Sequence, residues 1–363
     1  MGYNYLKMRI ERLTLVNFRS YKNQVFHFGQ TSVIVAPNGG GKSNILEAIS
    51  LLSSGKSERA AEISEMITFD SELASVTGVV EHNDERSELA IVLTRGMYMG
   101  KMTPKRRYLV DGVARTRGMI SNKLLTVLFR PEDMRLIEGS PVRRRGYLDS
   151  ILCMVHPEYE RALSVYEASL RRRNRLLDSI REGQAGREQL TYWDQSIIKN
   201  GNILSDFRRE LLLYLSQIKT SFGQYNLEYT ASTISPARLA QHAQAEIAVG
   251  YTLVGPHKDD FKIMAYSKWH MAHGGDRDLM KYGSRGEQRL AVLFLKLGNL
   301  QYIEEKLGVK PILLLDDIFS ELDEGHRKEV AGMMEGRQAI VTSAEPAVAL
   351  AMAGLGRVDI IRL

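Results

Sequence analysis

The sequence predicts an α/β fold: a sheet domain that carries a glycine-rich phosphate loop, interrupted by an inserted helical lobe. Three observations predict it. A short apolar strand runs into a glycine loop and a helix between Thr31 and Ile49. A second apolar strand, Pro311 to Asp317, ends in paired carboxylates. Between them, two stretches carry apolar residues at spacings of three, four and seven.

The elements follow in order. Met8 to Phe28 alternates apolar and polar residues (Ile10, Leu13, Leu15, Val16, Phe18) and reads as paired strands. TSVIVA, Thr31 to Ala36, is a buried strand that opens directly onto Pro37-Asn38-Gly39-Gly40-Gly41-Lys42-Ser43, and Asn44 to Ile49 begins a helix. From Val76 to Val110 the alternation returns, as antiparallel sheet around charged turns. The character changes near Asn122. Glu158 to Ile180 (Tyr159, Leu163, Tyr166, Leu170, Leu177, Ile180) and Trp193 to Ile218 (Trp193, Ile197, Leu204, Leu211, Leu215, Ile218) form the arms of a helical hairpin about the Glu182–Gly186 turn. At 1.5 Å per residue each arm reaches about 30–40 Å. Alternating α/β character resumes at Tyr251, with PILLLDD and QAIVTS as buried strands. The expected organisation is a sheet domain of residues 1–121 and 249–363 around a helical lobe of residues 122–248.

Composition bounds the partners without naming them. Of 363 residues, 49 are Lys or Arg and 43 Asp or Glu, a net charge of +6. That excess permits a polyanionic partner but does not require one. Cys153 is the one cysteine, which excludes an intrachain disulfide and a thiolate metal cluster. No apolar run approaches about 18 residues, and the charged start does not read as a secretory leader, so a cytoplasmic location is expected.

Ala36 to Ser43 matches the Walker A pattern in its final Gly41-Lys42-Ser43, preceded by Gly39 and Gly40. Glycines let backbone N–H groups curl around a phosphate, and the helix N-terminus adds positive potential. Lys42 is expected to reach the β- and γ-phosphates of ATP, and the Ser43 hydroxyl to coordinate Mg²⁺. Ala36 replaces the usual first glycine, a change that an ordinary φ tolerates. Pro311 to Asp317 reads as a Walker B strand, with Asp316 a Mg²⁺ ligand and Asp317 placed to orient or deprotonate the attacking water.

Tyr282-Gly283-Ser284-Arg285-Gly286-Glu287-Gln288-Arg289, just before an apolar helix, resembles the signature motif of ABC-type ATPases. Such a motif caps the γ-phosphate held by a partner rather than its own. Ser320-Glu321-Leu322-Asp323 resembles the D-loop of the same superfamily. A serine-glycine pair alone is weak, more often a helix cap; four elements in this order are specific. The candidate catalytic set is therefore Lys42, Asp317 and Ser284. The nucleotide set is Ala36, Pro37, Asn38, Gly39, Gly40, Gly41, Lys42, Ser43 and Asn44, with Ser284, Gly286 and Gln288 from a second copy. The metal set is Ser43 and Asp316.

Further stretches narrow the likeness: Asn17-Phe18-Arg19-Ser20-Tyr21, Phe129-Arg130-Pro131-Glu132-Asp133, Gly139-Ser140-Pro141 with Arg143-Arg144-Arg145 and Leu148-Asp149, Arg173-Asn174, and Gly255-Pro256-His257-Lys258-Asp259-Asp260. With these the chain resembles the RecF family of recombination mediators from about Met8 onward. The resemblance implies an ABC-type head without the long coiled coil of SMC proteins, and an ATP-dependent homodimer with slow hydrolysis. It implies binding to double-stranded DNA and to ds/ssDNA junctions near gaps, and partnership with RecR and RecO in loading RecA, in the cytoplasm at the bacterial nucleoid. It also brings Arg19 and Lys56-Ser57-Glu58-Arg59 into the nucleotide set. Two departures stand out. No Gln occurs from Asn44 through Gly183, so the γ-phosphate-sensing glutamine is missing or its role falls to Pro131-Glu132-Asp133. Thr342 and Ser343 occupy the switch-histidine position, which adds Thr342 to the nucleotide set. Both departures, with Asp317 in place of the commoner glutamate, fit weak hydrolysis.

The candidate DNA contacts are Lys105-Arg106-Arg107, Arg143 to Arg145, and Arg171-Arg172-Arg173 with Arg175. Consecutive arginines on a helix point different ways, so not all meet phosphates, and Arg143 to Arg145 alternatively hold the lobe boundary. No base-reading motif is present, so binding through the DNA backbone is expected. Competing assignments fit less well. A transporter ATPase places its signature much nearer Walker A than the 284 − 43 = 241 residues seen here. An SMC-like or other ABC-type chromosome-maintenance ATPase remains the runner-up, although an SMC protein carries hundreds of heptad residues. An ABC-linked nuclease needs a further acidic domain.

Overall fold

In β1 (Met8–Phe18) the buried residues are Met8, Ile10, Leu13, Leu15 and Phe18. The inward parity shifts between Ile10 and Leu13 because a bulge between Ile10 and Arg12 inserts one residue against β4 (Leu73–His82). β1 also pairs antiparallel with β2 (Tyr21–His27). The computed structural model describes residues 6–121, 123–221, 223–265, 277–320, 324–346 and 358–363. Within these the chain forms two compact units, Met1–Glu132 with Ile303–Leu363, and Asp133–Tyr302.

The first unit holds two sheets. The antiparallel one runs β2-β1-β4-β5-β8-β9, where β5 is Glu85–Thr94, β8 is Arg106–Val110 and β9 is Val113–Arg115. A separate ribbon of β6 (Met97–Tyr98) and β7 (Lys101–Met102) rises between β5 and β8. The other sheet is parallel, in the order β10-β14-β15-β3-β16. It comprises β3 (Thr31–Val35), β10 (Thr126–Phe129), β14 (Ile312–Asp316), β15 (Ala339–Ser343) and β16 (Asp359–Arg362). β14 and β15 are buried at every residue, as strands of a sheet covered on both faces are. Helix α1 (Lys42–Ser54) follows β3; Ile45, Leu46, Ala48, Ile49, Leu51 and Leu52 are all buried. Helix α2 (Arg117–Ser121) precedes β10, and α10 (Glu324–Met333) joins β14 to β15.

The second unit is mainly helical: α3 (Arg135–Glu138), α4 (Pro141–Val155), α5 (Pro157–Arg181), α6 (Thr191–Gln217), α7 (Pro236–Val249), α8 (Leu279–Tyr282) and most of α9 (Arg285–Leu307). The expected hairpin is present as α5 and α6, with Tyr159, Tyr166, Leu177, Ile197, Leu204, Leu211 and Leu215 buried. Proline at the first turn of α4 and α5 starts each helix without forfeiting a backbone bond.

The expected boundaries need correction. Residues 249–302 belong with the helices rather than with the sheet domain, and residues 122–132 belong with the sheets. β11 (Tyr225–Thr230) pairs antiparallel with β12 (Asp260–Ala265), which in turn pairs with β13 (Arg277–Asp278). That three-stranded sheet ties the segment after 249 into the helical unit. β10 pairs in parallel with β14 from Thr126 to Phe129, which ties the earlier segment to the other unit.

Arg144, Asp149, Arg173, Asp259 and Asp260, from the stretches that narrowed the likeness, form the ionic core of the second unit. Arg144 makes a two-pronged bond to Asp260, at 2.6 and 2.9 Å. Arg208, almost fully buried, meets Asp149 at 2.8 Å, Asp259 at 3.0 Å and the carbonyl of Pro256 at 2.8 Å. Desolvation works to lower the pKa of Arg208, but Asp149, Tyr159 and Asp259 outweigh it and hold the guanidinium above its ordinary range. Arg173 bonds Asp194, Glu246 and Thr252, each within 2.8 Å. Two expected DNA contacts are thereby corrected. Arg144 and Arg173 are buried and ion-paired, so neither presents its charge to a phosphate. Arg145 donates to the carbonyl of Asp259 and is half-buried. Arg143, Arg171, Arg172, Arg175, Lys105 and Arg107 are exposed, and Arg106 donates to the Gly55 carbonyl. No helix among the described residues is long and apolar enough to cross a membrane.

Candidate nucleotide site

The loop between β3 and α1 is shaped by glycine where glycine is needed. Gly39 and Gly41 have φ of 82° and 94°, in the left-handed region. A Cβ on Gly41 would lie 2.6 Å from the Tyr21 hydroxyl, so the N-terminus of α1 can approach β2 only without a side chain. Ala36 keeps a negative φ, which is why alanine is accepted there. No side chain caps the N-terminus of α1, and its first turn holds no acidic residue. The N–H groups at its head therefore offer an anion site of positive potential.

Lys42 is buried at the head of that helix. Its Nζ donates to the carbonyl of Ala36 at 2.7 Å and to that of Pro37 at 3.3 Å, and lies 3.7 Å from Asp317 Oδ2. The Walker B carboxylates meet the loop from the end of β14, and Thr342 joins them from β15. Ser43 Oγ donates to Asp316 Oδ1 at 3.0 Å, and Thr342 Oγ1 donates to the same oxygen at 2.7 Å. Burial raises the pKa of Asp316; the two hydroxyl donors oppose this, while the negative fields of Asp317 and Glu132 add to it. Asp317 has a φ of 51°, an uncommon conformation for a side-chain-bearing residue. Its N–H donates to Thr342 Oγ1 at 3.1 Å, and its Oδ1 accepts the Ala344 N–H at 3.0 Å. Those bonds hold it in a strained turn at the carboxyl end of the sheet, where ligands of such sheets bind.

Asp316 and the Ser43 hydroxyl are adjacent hard oxygen donors, and they suit Mg²⁺, which takes few protein ligands beside phosphate and water. Among the described residues no cluster of three or more His, Cys, Asp or Glu could hold a metal alone. A pocket beside them is lined by Ser43, Glu47, Glu58, Arg59, Arg130 and Asp316, among others.

The sequence did not single out Glu47, a lone carboxylate on the apolar face of α1. Its two oxygens take the Arg19 guanidinium at 2.7 and 3.0 Å, and the Ser57 hydroxyl at 2.6 Å. Arg59 bridges Glu47 and the Asn44 side chain, and Asn44 donates to Ser20. Arg19 and the 56–59 segment thus adjoin the loop, but through Glu47. Glu132 of the stretch considered in place of a sensing glutamine is close enough to bear on Asp316, whereas Asp133 pairs with Lys296 in the second unit.

Ser284 lies exposed one residue before α9. The Glu287 carboxylate accepts the Ser284 N–H at 2.8 Å and the Glu287 N–H donates to Ser284 Oγ at 3.4 Å, the reciprocal pattern of a capping box, and the Ser284 hydroxyl also donates to that carboxylate at 2.7 Å. Desolvation raises the Glu287 pKa, but the Ser284 bonds and Arg277 outweigh it, and the net shift is downward. Gly286 is exposed as expected. Gln288 departs from the expectation: it is buried, and its amide donates to the Leu279 carbonyl at 3.0 Å, so it fastens α8 to α9. Ser320 donates to the Asp317 carbonyl at 2.7 Å, while the remaining D-loop residues, 321–323, lie outside the described residues.

The RecF/RecN/SMC N-terminal domain family matches residues 9–360. The DNA replication and repair protein RecF of Caldanaerobacter subterraneus subsp. tengcongensis is 32% identical over 360 residues, covering 92% of this chain and 94% of that one. Among solved structures, that of the recombination mediator protein RecF with ATP, of the RecFOR pathway, superposes with a TM-score of 0.84. It is 31% identical and covers 96% of this chain and 95% of its own. An Smc head domain from Pyrococcus furiosus, 21% identical with a TM-score of 0.51 over 95% and 91% of the two chains, shares the fold. Sequence and fold agree: the chain belongs to the RecF family of ABC-type ATPases.

Proposed function

We propose that this chain is an ATP-gated DNA clamp of recombinational repair and replication. The observation that carries the reading is the meeting of Lys42, Ser43, Asp316 and Asp317 at an uncapped helix N-terminus. The curated relative is named for DNA replication and repair, and the solved relative holds ATP and is placed in the RecFOR pathway.

The triphosphate seats on the N–H groups of residues 39–44. Lys42 exchanges the carbonyls of Ala36 and Pro37 for phosphate oxygens, which raises the charge complementarity of the loop without moving its backbone. Mg²⁺, held by Ser43 and Asp316, supplies charge neutralisation at the phosphate oxygens. Asp317 orients the attacking water. Its side chain is shorter than glutamate and already committed to the Ala344 N–H, which favours slow turnover. Ser284 and the N-terminus of α9 from a second copy cap the γ-phosphate, so ATP joins two chains around duplex DNA. The partners are RecO and RecR at ds/ssDNA junctions, where RecA is loaded. Exposed Arg143, Arg171, Arg172, Arg175, Lys105 and Arg107 supply phosphate contacts.

Sedimentation velocity with ATP, Mg²⁺ and duplex DNA tests this. The wild type dimerises and binds DNA only with ATP. Lys42→Met loses nucleotide binding, while Ser284→Arg binds ATP yet stays monomeric. A Ser284→Arg protein that dimerised and held DNA like the wild type would refute the trans-capping role.

A further inference from the structure

The ribbon of β6 and β7 has a composition that neither the sheet nor the nucleotide site explains. Met97 pairs with Met102 and Tyr98 with Lys101, across a two-residue turn of Met99 and Gly100. Both turn residues have positive φ, 49° and 73°, the arrangement that right-twisted hairpins demand. Asn or Asp ordinarily fills the first position. A methionine there is held against its backbone preference, and it is 77% exposed. Met102 is 88% exposed, and Met97 and Tyr98 are exposed as well. A strained, solvated, apolar tip costs stability and adds nothing to the core.

The charge around the tip is mainly positive. From Arg95 to Val110 the chain carries five cations and no carboxylate. Arg95 folds back onto the carbonyls of Ser71 and Phe69, and Arg106 onto that of Gly55. Lys101, Lys105 and Arg107 are exposed along the ribbon and its base. Glu72 accepts the Met99 N–H at 3.1 Å, so its carboxylate is engaged at the turn.

We infer that this ribbon, Met97 to Met102, is a base-contacting wedge that takes unpaired nucleobases beside a duplex end. Methionine and tyrosine are side chains that stack on or insert between bases, and lysines behind them meet the flanking phosphates. Unpaired bases are favoured over paired ones. Opening a duplex step costs a few kcal/mol, whereas a base in a single-stranded extension already offers its face. A two-residue tip is narrow enough for one base step and too small for a stable protein interface. The inference rests on the DNA-clamp reading and adds to it the feature of the DNA that is sensed.

The test uses the full chain with ATP and Mg²⁺, and anisotropy titrations of a blunt duplex and of the same duplex with a single-stranded extension. A second readout is the emission of 2-aminopurine at the first unpaired position. In Tyr98→Ala/Met99→Asn the preference for the extended DNA falls by roughly fivefold or more, the blunt-duplex affinity stays within about twofold, and the 2-aminopurine change disappears. Asn suits the left-handed turn, so the ribbon keeps its shape. In Lys101→Ser/Lys105→Ser both DNAs bind more weakly, and the salt slope drops by about one to two. A Tyr98→Ala/Met99→Asn protein that keeps the wild-type preference and 2-aminopurine response overturns the wedge. A wild type that binds neither DNA overturns the clamp reading itself, an outcome distinct from a wild type that binds both equally.

Discussion

The hydroxyl of Thr342 donates to Oδ1 of Asp316 at 2.7 Å and accepts the backbone N–H of Asp317 at 3.1 Å. One side chain on β15 thereby fixes the carboxylate of Asp316 and the backbone of Asp317 at the end of β14. Thr342→Val keeps the shape and removes both bonds. A hydrogen bond to a charged group contributes about 1.5–3 kcal/mol, so Mg²⁺-dependent ATP affinity is expected to fall by roughly 10- to 100-fold. Equilibrium titration with a fluorescent ATP analogue measures this, and an unchanged affinity would remove Thr342 from the site.

Glu287 orients Ser284. Replacing it with Ala removes the carboxylate half of the capping box, at about 1 kcal/mol of helix-end stability. ATP binding by the monomer is expected to persist, because Glu287 is remote in sequence from the phosphate loop and belongs to the other unit. Dimerisation at saturating ATP is expected to weaken by roughly fivefold or more for that ~1 kcal/mol. Sedimentation velocity across a concentration series distinguishes the two effects.

Arg208→Met leaves Asp149 and Asp259 without their shared cation in a buried setting. Breaking such a network costs about 3–5 kcal/mol. Urea unfolding monitored by circular dichroism is expected to show the second unit melting well below the first. Coincident transitions of the two units in the variant would mean that the network contributes little.

His257 gives a pH dependence. Its Nε2 donates to the Thr252 carbonyl at 3.1 Å, and its Nδ1 lies 2.7 Å from the Tyr166 hydroxyl. Burial, above all, lowers its pKa. The unfolded state therefore takes a proton first as pH falls, and stability present above the unfolded value of about 6.5 is lost below it. The thermal midpoint is expected to drop between about pH 7 and pH 5, with a shallower slope in His257→Gln. Equal slopes would show that His257 does not carry the effect.

Much of the candidate site's geometry was legible because it is local. Gly41-Lys42-Ser43 needs only the strand before it and the helix after it, and Asp316-Asp317 only the end of an apolar strand. The α5–α6 pair was legible because apolar spacing survives wherever a helix is half-buried. What could not be read depends on partners far along the chain. Arg144 and Arg173 resemble their exposed neighbours, and they are buried only because Asp260 lies 116 residues away and Glu246 lies 73 residues away. The unit boundary was misplaced for the same reason, since nothing in residues 249–265 announces that β12 will pair with β11. Gln288 followed the motif by position, but its burial follows from the turn of α8 beneath it.

Strand β3, which delivers the phosphate loop, lies between β15 and β16 in the parallel sheet. Ribosomes make β3 before either of its neighbours. A nascent chain synthesised as far as Gln338 has the complete glycine loop but neither strand that flanks its stem. The stem of the phosphate loop therefore gains its flanking strands only after the loop itself has been made.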